Sequence, residues 1–184
     1  MAADARDGHG SAEGPARGYA WLDSLDDYDA HRALLRCCGS QRWADAMLDR
    51  RPFGSAAALR AAAREVWSEL DRDDYLEAFA CHPPIGGGGG EDPAALASTR
   101  AWSAEEQSGA AGAAADVAQA LRDANRVYRQ RFGFLFIVCA TGKSAGQMLA
   151  ALHVRLTNAP EIELLIAAAE QAKITELRLE KVGP

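Results

Sequence analysis

Aromatic residues and long apolar runs are both scarce in this chain. Only 7% of its 184 residues are aromatic, while alanine is prominent among the 48% that are hydrophobic. This composition favours packed helices over a sandwich of β-branched strands. The longest strongly apolar run, 132–140, is far shorter than the roughly 20 residues that cross a bilayer. The sequence therefore predicts an all-α protein without a membrane partner.

Basic residues are in the minority, and the cysteines lack metal-site spacing. Lys and Arg number 20 against 26 Asp and Glu, a net charge of −6, which predicts no binding to nucleic acid. Cys37 and Cys38 are adjacent, whereas Cys81 and Cys139 stand alone, so no CxxC pair occurs. We expect reduced thiols, an intracellular location and no bound metal ion.

The ends of the chain carry no targeting signal of a familiar kind. The N-terminus lacks the basic start and apolar middle of a secretory signal, and the C-terminus lacks an SKL-type tripeptide. Both the peroxisome and the cytoplasm stay open as locations.

Three regions differ in composition. Residues 1–20 combine Gly, Ala, Ser and charge without apolar periodicity, which is typical of a disordered leader. Residues 21–184 form the predicted single-domain, compact helical bundle. Within it, the glycine-rich stretch 86–93 predicts a flexible loop rather than a phosphate loop, because no lysine or hydroxyl follows the glycines.

Apolar spacing and capping residues predict the helices. One helix is expected from Leu25 to Cys38, and serines at 40, 55 and 144 are placed to begin later ones. Further helices are predicted at 74–80, 113–131, 144–156 and 161–181. The predicted inward face of the last helix contains Ile162, Leu165, Ile166, Ala169, Ile174 and Leu177. The aromatic run 132–140 is predicted to be a buried extended segment or a helix end, because a lone strand would have no partner.

His82 differs from the other histidines in its surroundings. His9 lies in the leader, and His31 and His153 fall within helical patterns, where a solvated or hydrogen-bonded role is expected. His82 stands at a helix-to-loop junction before Pro83 and Pro84. Loops of this kind hold catalytic groups more often than packing groups.

Five motifs, in order along the chain, resemble those of the OHCU decarboxylase family, named for 2-oxo-4-hydroxy-4-carboxy-5-ureidoimidazoline. They are HPPIG from residue 82, SAEEQSG from 103, NRVYRQRFGFLFIVCATGKS from 125, RLTN from 155 and EQAKITELRL from 170. The C-terminal sequence looks most like the plant branch, whose members commonly carry a second, transthyretin-like hydroxyisourate hydrolase domain.

The resemblance implies a cofactor-free decarboxylase of urate breakdown that produces (S)-allantoin. It further implies a homodimer and a hydroxyisourate hydrolase as a functional partner. A carbon–nitrogen double bond in the substrate ring accepts the electrons released with carbon dioxide, so no organic cofactor or metal is needed.

The same resemblance assigns the site residues. His82 and Glu106 become the catalytic acid–base groups, with a histidine pKa near neutrality expected. The implied substrate contacts are Pro83, Ser103, Gln107, Arg178 and the segment formed by Phe136, Ile137, Val138, Cys139 and Ala140.

Structural interpretations remain open beside these assignments. Ser103 and Glu106 have the spacing of a capping box, which stabilises a helix start without any catalytic role. Arg155 is the alternative substrate arginine, although its motif looks structural. For the whole chain, the alternative is a non-catalytic helical interaction module in which His82 is structural.

Overall fold

The computed structural model describes residues 16–83, 85 and 115–184, and every regular element in these ranges is an α-helix. The all-α prediction is confirmed. The helices are α1 (Tyr19–Ser24), α2 (Asp27–Cys38), α3 (Gln41–Leu48), α4 (Ala56–Ser68), α5 (Arg72–Ala80), α6 (Ala115–Phe132), α7 (Ala145–Arg155) and α8 (Pro160–Lys181). No described helix is long and apolar enough to cross a membrane.

Serine side chains begin three of the helices, as the sequence predicts. The hydroxyl oxygens of Ser40, Ser55 and Ser144 each accept a hydrogen bond from the backbone N–H three residues later. Gln147 also bonds back to the Ser144 N–H at 2.8 Å, which completes a capping box. Each such contact satisfies one of the N–H groups that a helix start leaves unpaired.

The helix predicted from Leu25 to Cys38 is α2, which begins two residues later, at Asp27, and ends at Cys38 as predicted. A separate helix, α1, precedes it. α1 begins at Tyr19, two residues inside the predicted leader, and ends at Ser24. The carboxylate of Asp26 then accepts from Asp29 N at 2.8 Å and starts α2. Tyr28, which the apolar spacing included, is 72% exposed. The local cap at Asp26 therefore overrode the apolar spacing.

α8 is the central helix and contacts α2, α4 and α5, while α6 packs on α7. Trp67 of α4 donates its indole N–H to Ala168 O of α8 at 3.1 Å. The face of α4 that was predicted to be buried is buried, from Leu59 to Leu70. These contacts place α8 against the end of α5, where His82 follows.

The predicted inward face of α8 was wrong at three of its six positions, whereas Ile174 is buried and Ile166 and Leu177 are half-buried. Ile162 and Leu165 are 54% and 60% exposed, and Ala169 is exposed as well. The buried positions of the helix instead include four polar or charged residues: Glu163, Gln171, Thr175 and Arg178. Apolar spacing cannot identify this face, because these side chains are buried with their polar groups paired.

Residues 134–140, here called the extended segment, have no regular secondary structure and are buried except for half-buried Leu135. The burial predicted for 132–140 is therefore found over most of its length, while Phe132 ends α6 and Gly133 is exposed at a φ of 83°. Phe134 and Phe136 are buried and contact Tyr128 of α6, with ring centroids 5.8 and 5.3 Å apart. Phe134 also meets Phe79 of α5 at 5.3 Å. The aromatic cluster therefore holds the segment between α5 and α6, close to His82.

Candidate active site

His82 lies just beyond the end of α5. Its backbone N–H bonds to Phe79 O at 3.2 Å, and Pro83 follows. The end of α2 lies close to Cys81, the residue before His82. Gly39, which follows α2, adopts a φ of 90°, and its carbonyl accepts from the Cys81 thiol at 3.7 Å. A Cβ at Gly39 would lie 2.8 Å from Cys81 Sγ, so only glycine fits without displacement.

A pocket with about 350 Å³ of empty space opens beside His82. Several residues predicted from the sequence line it: His82, Pro83, Phe136, Ile137, Val138 and Ala140. Three further lining residues, Ile85, Leu135 and Ile174, were not singled out from the sequence. Cys139 does not line the pocket. The structure thus brings the histidine motif together with the extended segment, more than 50 residues later in the chain.

Hydrogen bonds to charged side chains hold the backbone of the extended segment. Arg155 Nη1 donates to Ile137 O at 2.7 Å, and Cys139 N donates to Glu170 Oε2 at 2.7 Å. Lys143 Nζ donates to Cys139 O at 2.5 Å. Burial by itself raises the pKa of Glu170, but Lys173, Cys139 N–H and Lys143 together lower it below its ordinary value. Glu170 therefore acts as a charged acceptor that positions the segment.

Arg155 belongs to a buried ion-pair network. Its guanidinium reaches Glu163 Oε1 at 2.6 Å and lies 4.6 Å from the Phe136 ring centroid. The Tyr128 hydroxyl also donates to Glu163 Oε1, and Asn158 donates to the other carboxylate oxygen at 2.7 Å. Because these contacts occupy Arg155, the structure favours its structural interpretation over substrate binding.

Three backbone N–H groups of the pocket wall have no hydrogen-bond acceptor among the described residues. Those of Phe136, Ile137 and Val138 form no hydrogen bond to any other residue in the described ranges. Phe136 and Ile137 are each 2% exposed. Buried N–H groups are nearly always paired, so these donors suit a ligand with carbonyl or carboxylate oxygens.

His82 is tied to the polar face of α8. Its Nε2 lies 2.6 Å from Gln171 Oε1, and Gln171 Nε2 donates to Thr175 Oγ1 at 3.2 Å. Thr175 lowers the pKa of the Cys38 thiol on α2, although burial raises that pKa overall. No role was assigned to Gln171 or Thr175 from the sequence. The available signal was a pair of polar side chains four residues apart in the helix.

Burial and the positive charge of Arg178 lower the pKa of His82 to about 3, against the opposing effect of the Gln171 contact. The expectation of a pKa near neutrality is therefore wrong for the unliganded protein. The imidazole is therefore neutral at physiological pH, and burial and Arg178 oppose its protonation.

Arg178 lies beneath the pocket rather than in its wall. Its side chain is buried, at 1% exposure, and it acts electrostatically on both His82 and Cys38. Its assignment as a substrate contact stays a prediction. Ser103, Glu106 and Gln107 lie outside the described residues. So do residues 1–15 of the predicted leader and the whole glycine-rich loop at 86–93.

Within the described ranges, no group of three or more His, Cys, Asp or Glu side chains is arranged to hold a metal ion. All four cysteines are free thiols.

Comparison with known proteins gives a consistent result. Residues 23–180 match the model of the OHCU decarboxylase family. The bifunctional uric acid degradation protein TTL of Arabidopsis thaliana is 42% identical over 148 residues, which are 79% of this chain and 45% of that protein. This chain thus spans less than half of that relative. The 2-oxo-4-hydroxy-4-carboxy-5-ureidoimidazoline decarboxylase of Amia calva is 31% identical, covering 72% of this chain and 74% of its own length.

Solved structures show the same fold. A crystal structure of OHCU decarboxylase in the presence of (S)-allantoin superposes with a TM-score of 0.68 at 38% identity, covering 84% of this chain and 96% of the other. An (S)-allantoin synthase structure is only 20% identical, with a TM-score of 0.64 over 89% of this chain and 53% of that one, and supports the fold alone.

Proposed function

The chain belongs to the OHCU decarboxylase family, and from this premise we propose that it decarboxylates 2-oxo-4-hydroxy-4-carboxy-5-ureidoimidazoline to (S)-allantoin in urate breakdown. The observation that carries the proposal is the pocket lined by both His82 and the extended segment, whose Phe136, Ile137 and Val138 N–H groups form no hydrogen bond within the described ranges. A neutral base and available donors around one pocket suit a small, oxygen-rich anion.

The substrate supplies its own electron sink. Its carboxylate and hydroxyl share one ring carbon, and the neighbouring ring carbon forms a double bond to nitrogen. As carbon dioxide leaves, the electron pair of the broken bond moves into the ring and onto that nitrogen, which takes up a proton. The hydroxyl proton is lost as the carbonyl of allantoin forms, and a proton is added to the neighbouring carbon. Addition from one face gives a single enantiomer.

In the proposed mechanism, neutral His82 takes the hydroxyl proton. The low pKa of His82 in the free protein leaves the imidazole unprotonated, as a base must be, while burial and Arg178 make it a weak base until the substrate binds. A bound substrate carboxylate adds negative charge near His82 and Arg178, which favours the imidazolium and makes proton uptake possible during the reaction.

The remaining residues of the proposed site bind and orient the substrate. The N–H groups of the extended segment donate to ring or carboxylate oxygens, with Pro83 as an apolar contact. Glu106 remains the proposed second acid–base group, and Ser103, Gln107 and Arg178 the proposed polar contacts, on the strength of the motif resemblance.

Assembly and cellular context are also part of the proposal. The family resemblance supports a homodimer, and the bifunctional Arabidopsis relative supports a functional partnership with hydroxyisourate hydrolase. The four free thiols support a reducing compartment, either the cytoplasm or the peroxisome.

The test is to supply freshly generated substrate and to follow the handedness of the allantoin formed by circular dichroism. We expect (S)-allantoin to accumulate much faster than in the spontaneous reaction. His82→Asn should lower kcat by about 10² or more, the share typical of a positioned acid–base group. A racemic product at the spontaneous rate would instead identify the chain as a helical interaction module.

A further inference from the structure

Gln171 is a buried amide that the proposed chemistry does not use. Its side chain is 0% exposed, and both ends of the amide are engaged. The oxygen lies 2.6 Å from His82 Nε2, and the nitrogen donates to Thr175 Oγ1 at 3.2 Å. A buried amide held at both ends has a defined orientation.

The partners of Gln171 determine which nitrogen of His82 carries the proton. In the structure, the amide nitrogen donates to Thr175 Oγ1. This contact fixes which end of the amide points toward His82. The amide oxygen consequently faces His82 as an acceptor, and a neutral imidazole satisfies it only with a hydrogen on Nε2.

We propose that Gln171 is a positioning residue that holds His82 in the tautomer protonated at Nε2 and so presents Nδ1 as the base. Nδ1 has no partner in the described part of the chain, and His82 lines the pocket. The kinetic consequence of this arrangement rests on the proposed decarboxylation, whereas the tautomer itself does not.

Charged and titratable groups from three elements surround this pair. Arg178 acts on His82 from α8, Cys81 precedes His82 at the end of α5, and the buried Cys38 thiol of α2 feels both Thr175 and Arg178. Among these described groups, none is an acidic side chain that would stabilise an imidazolium. A neutral amide acceptor is therefore the group that orients the ring without charging it.

The first test reads the tautomer directly, without substrate. In protein labelled with ¹⁵N-histidine, the His82 resonances are assigned by their loss in His82→Gln. We expect the wild type to show the proton on Nε2. Gln171→Leu, which keeps the bulk but removes the acceptor, should give a mixture of both tautomers. A wild type protonated at Nδ1, or an unchanged tautomer in Gln171→Leu, would overturn the proposal.

A second variant covers the case in which Gln171→Leu does not fold. Thr175→Val is nearly isosteric and removes only the acceptor of the amide nitrogen, so the amide is free to turn over. We expect the His82 tautomers to mix in this variant too. Retention of the pure wild-type tautomer would show that Thr175 does not orient Gln171, and the proposed arrangement would fail.

Kinetics then test the consequence for the reaction. Gln171→Leu should lower kcat by about tenfold or more, part of the 10² to 10⁴ that an acid–base group contributes, with a smaller change in KM. Gln171→Glu places a carboxylate beside His82 and should move the acidic limb of the kcat–pH profile to higher pH. An unshifted profile in Gln171→Glu would contradict the proposal, because a purely structural glutamine would leave the profile unchanged.

The two arms separate the two possible failures. If the ¹⁵N spectra show the expected tautomers but the wild type produces no allantoin, the proposed function fails and the role of Gln171 in orienting His82 stands. If decarboxylation occurs with an unaltered tautomer in the variants, the function stands and the positioning role fails.

Discussion

Replacing His82 should make the protein less sensitive to acid. The folded pKa of His82 is about 3, against an ordinary value of 6.5. Below pH 6.5 the unfolded chain therefore takes up a proton that the folded protein cannot accept, so acid favours unfolding. Each unit of this difference corresponds to about 1.4 kcal/mol. Between pH 7 and about pH 4.5, the wild type should lose about 2.5 kcal/mol of unfolding free energy through His82 alone.

The assay is urea denaturation of the wild type and His82→Gln at the two pH values. Carboxylates titrate in both proteins, so their contribution cancels in the comparison of the two losses. His82→Gln should lose about 2.5 kcal/mol less than the wild type. His153→Gln, at an exposed position of α7, is the control and should behave like the wild type. Equal losses in the wild type and His82→Gln would refute the argument that His82 is held neutral by burial and Arg178.

Three further predictions concern the supports of the site. Gly39→Ala should destabilise the fold by more than about 1 kcal/mol and reduce activity, whereas Gly133→Ala, also at positive φ but with open space around it, should cost less in thermal melts. Glu163→Gln leaves Arg155 buried without its counter-ion and should cost about 3 to 5 kcal/mol in urea unfolding, while Glu161→Gln at an exposed position of α8 should cost little. EDTA treatment should leave turnover unchanged, because the substrate ring accepts the electrons itself; activity that is lost and then restored by a metal would contradict this.

Local signals in the sequence were sufficient for most helix positions. The serine caps at 40, 55 and 144 and the apolar face of α4 depend on interactions within a few residues, and all are found in the structure. The motif resemblance brought His82 and the extended segment to attention, and the structure places both at one pocket. The family match then confirmed the family that those motifs indicated.

What the sequence by itself determined was therefore the all-α class, the helices with strong local caps, and the family. The buried face of α8 and the protonation of His82 were decided only by tertiary structure. Glu163, Gln171 and Arg178 look like surface residues in a helical pattern, because part of their surroundings comes from distant positions: Tyr128 for Glu163, and His82 for Gln171 and Arg178. The pKa of His82 likewise depends on burial under folded neighbours and on Arg178, 96 residues away in sequence. Pairing and desolvation arise only when the chain folds, so no local pattern could reveal them.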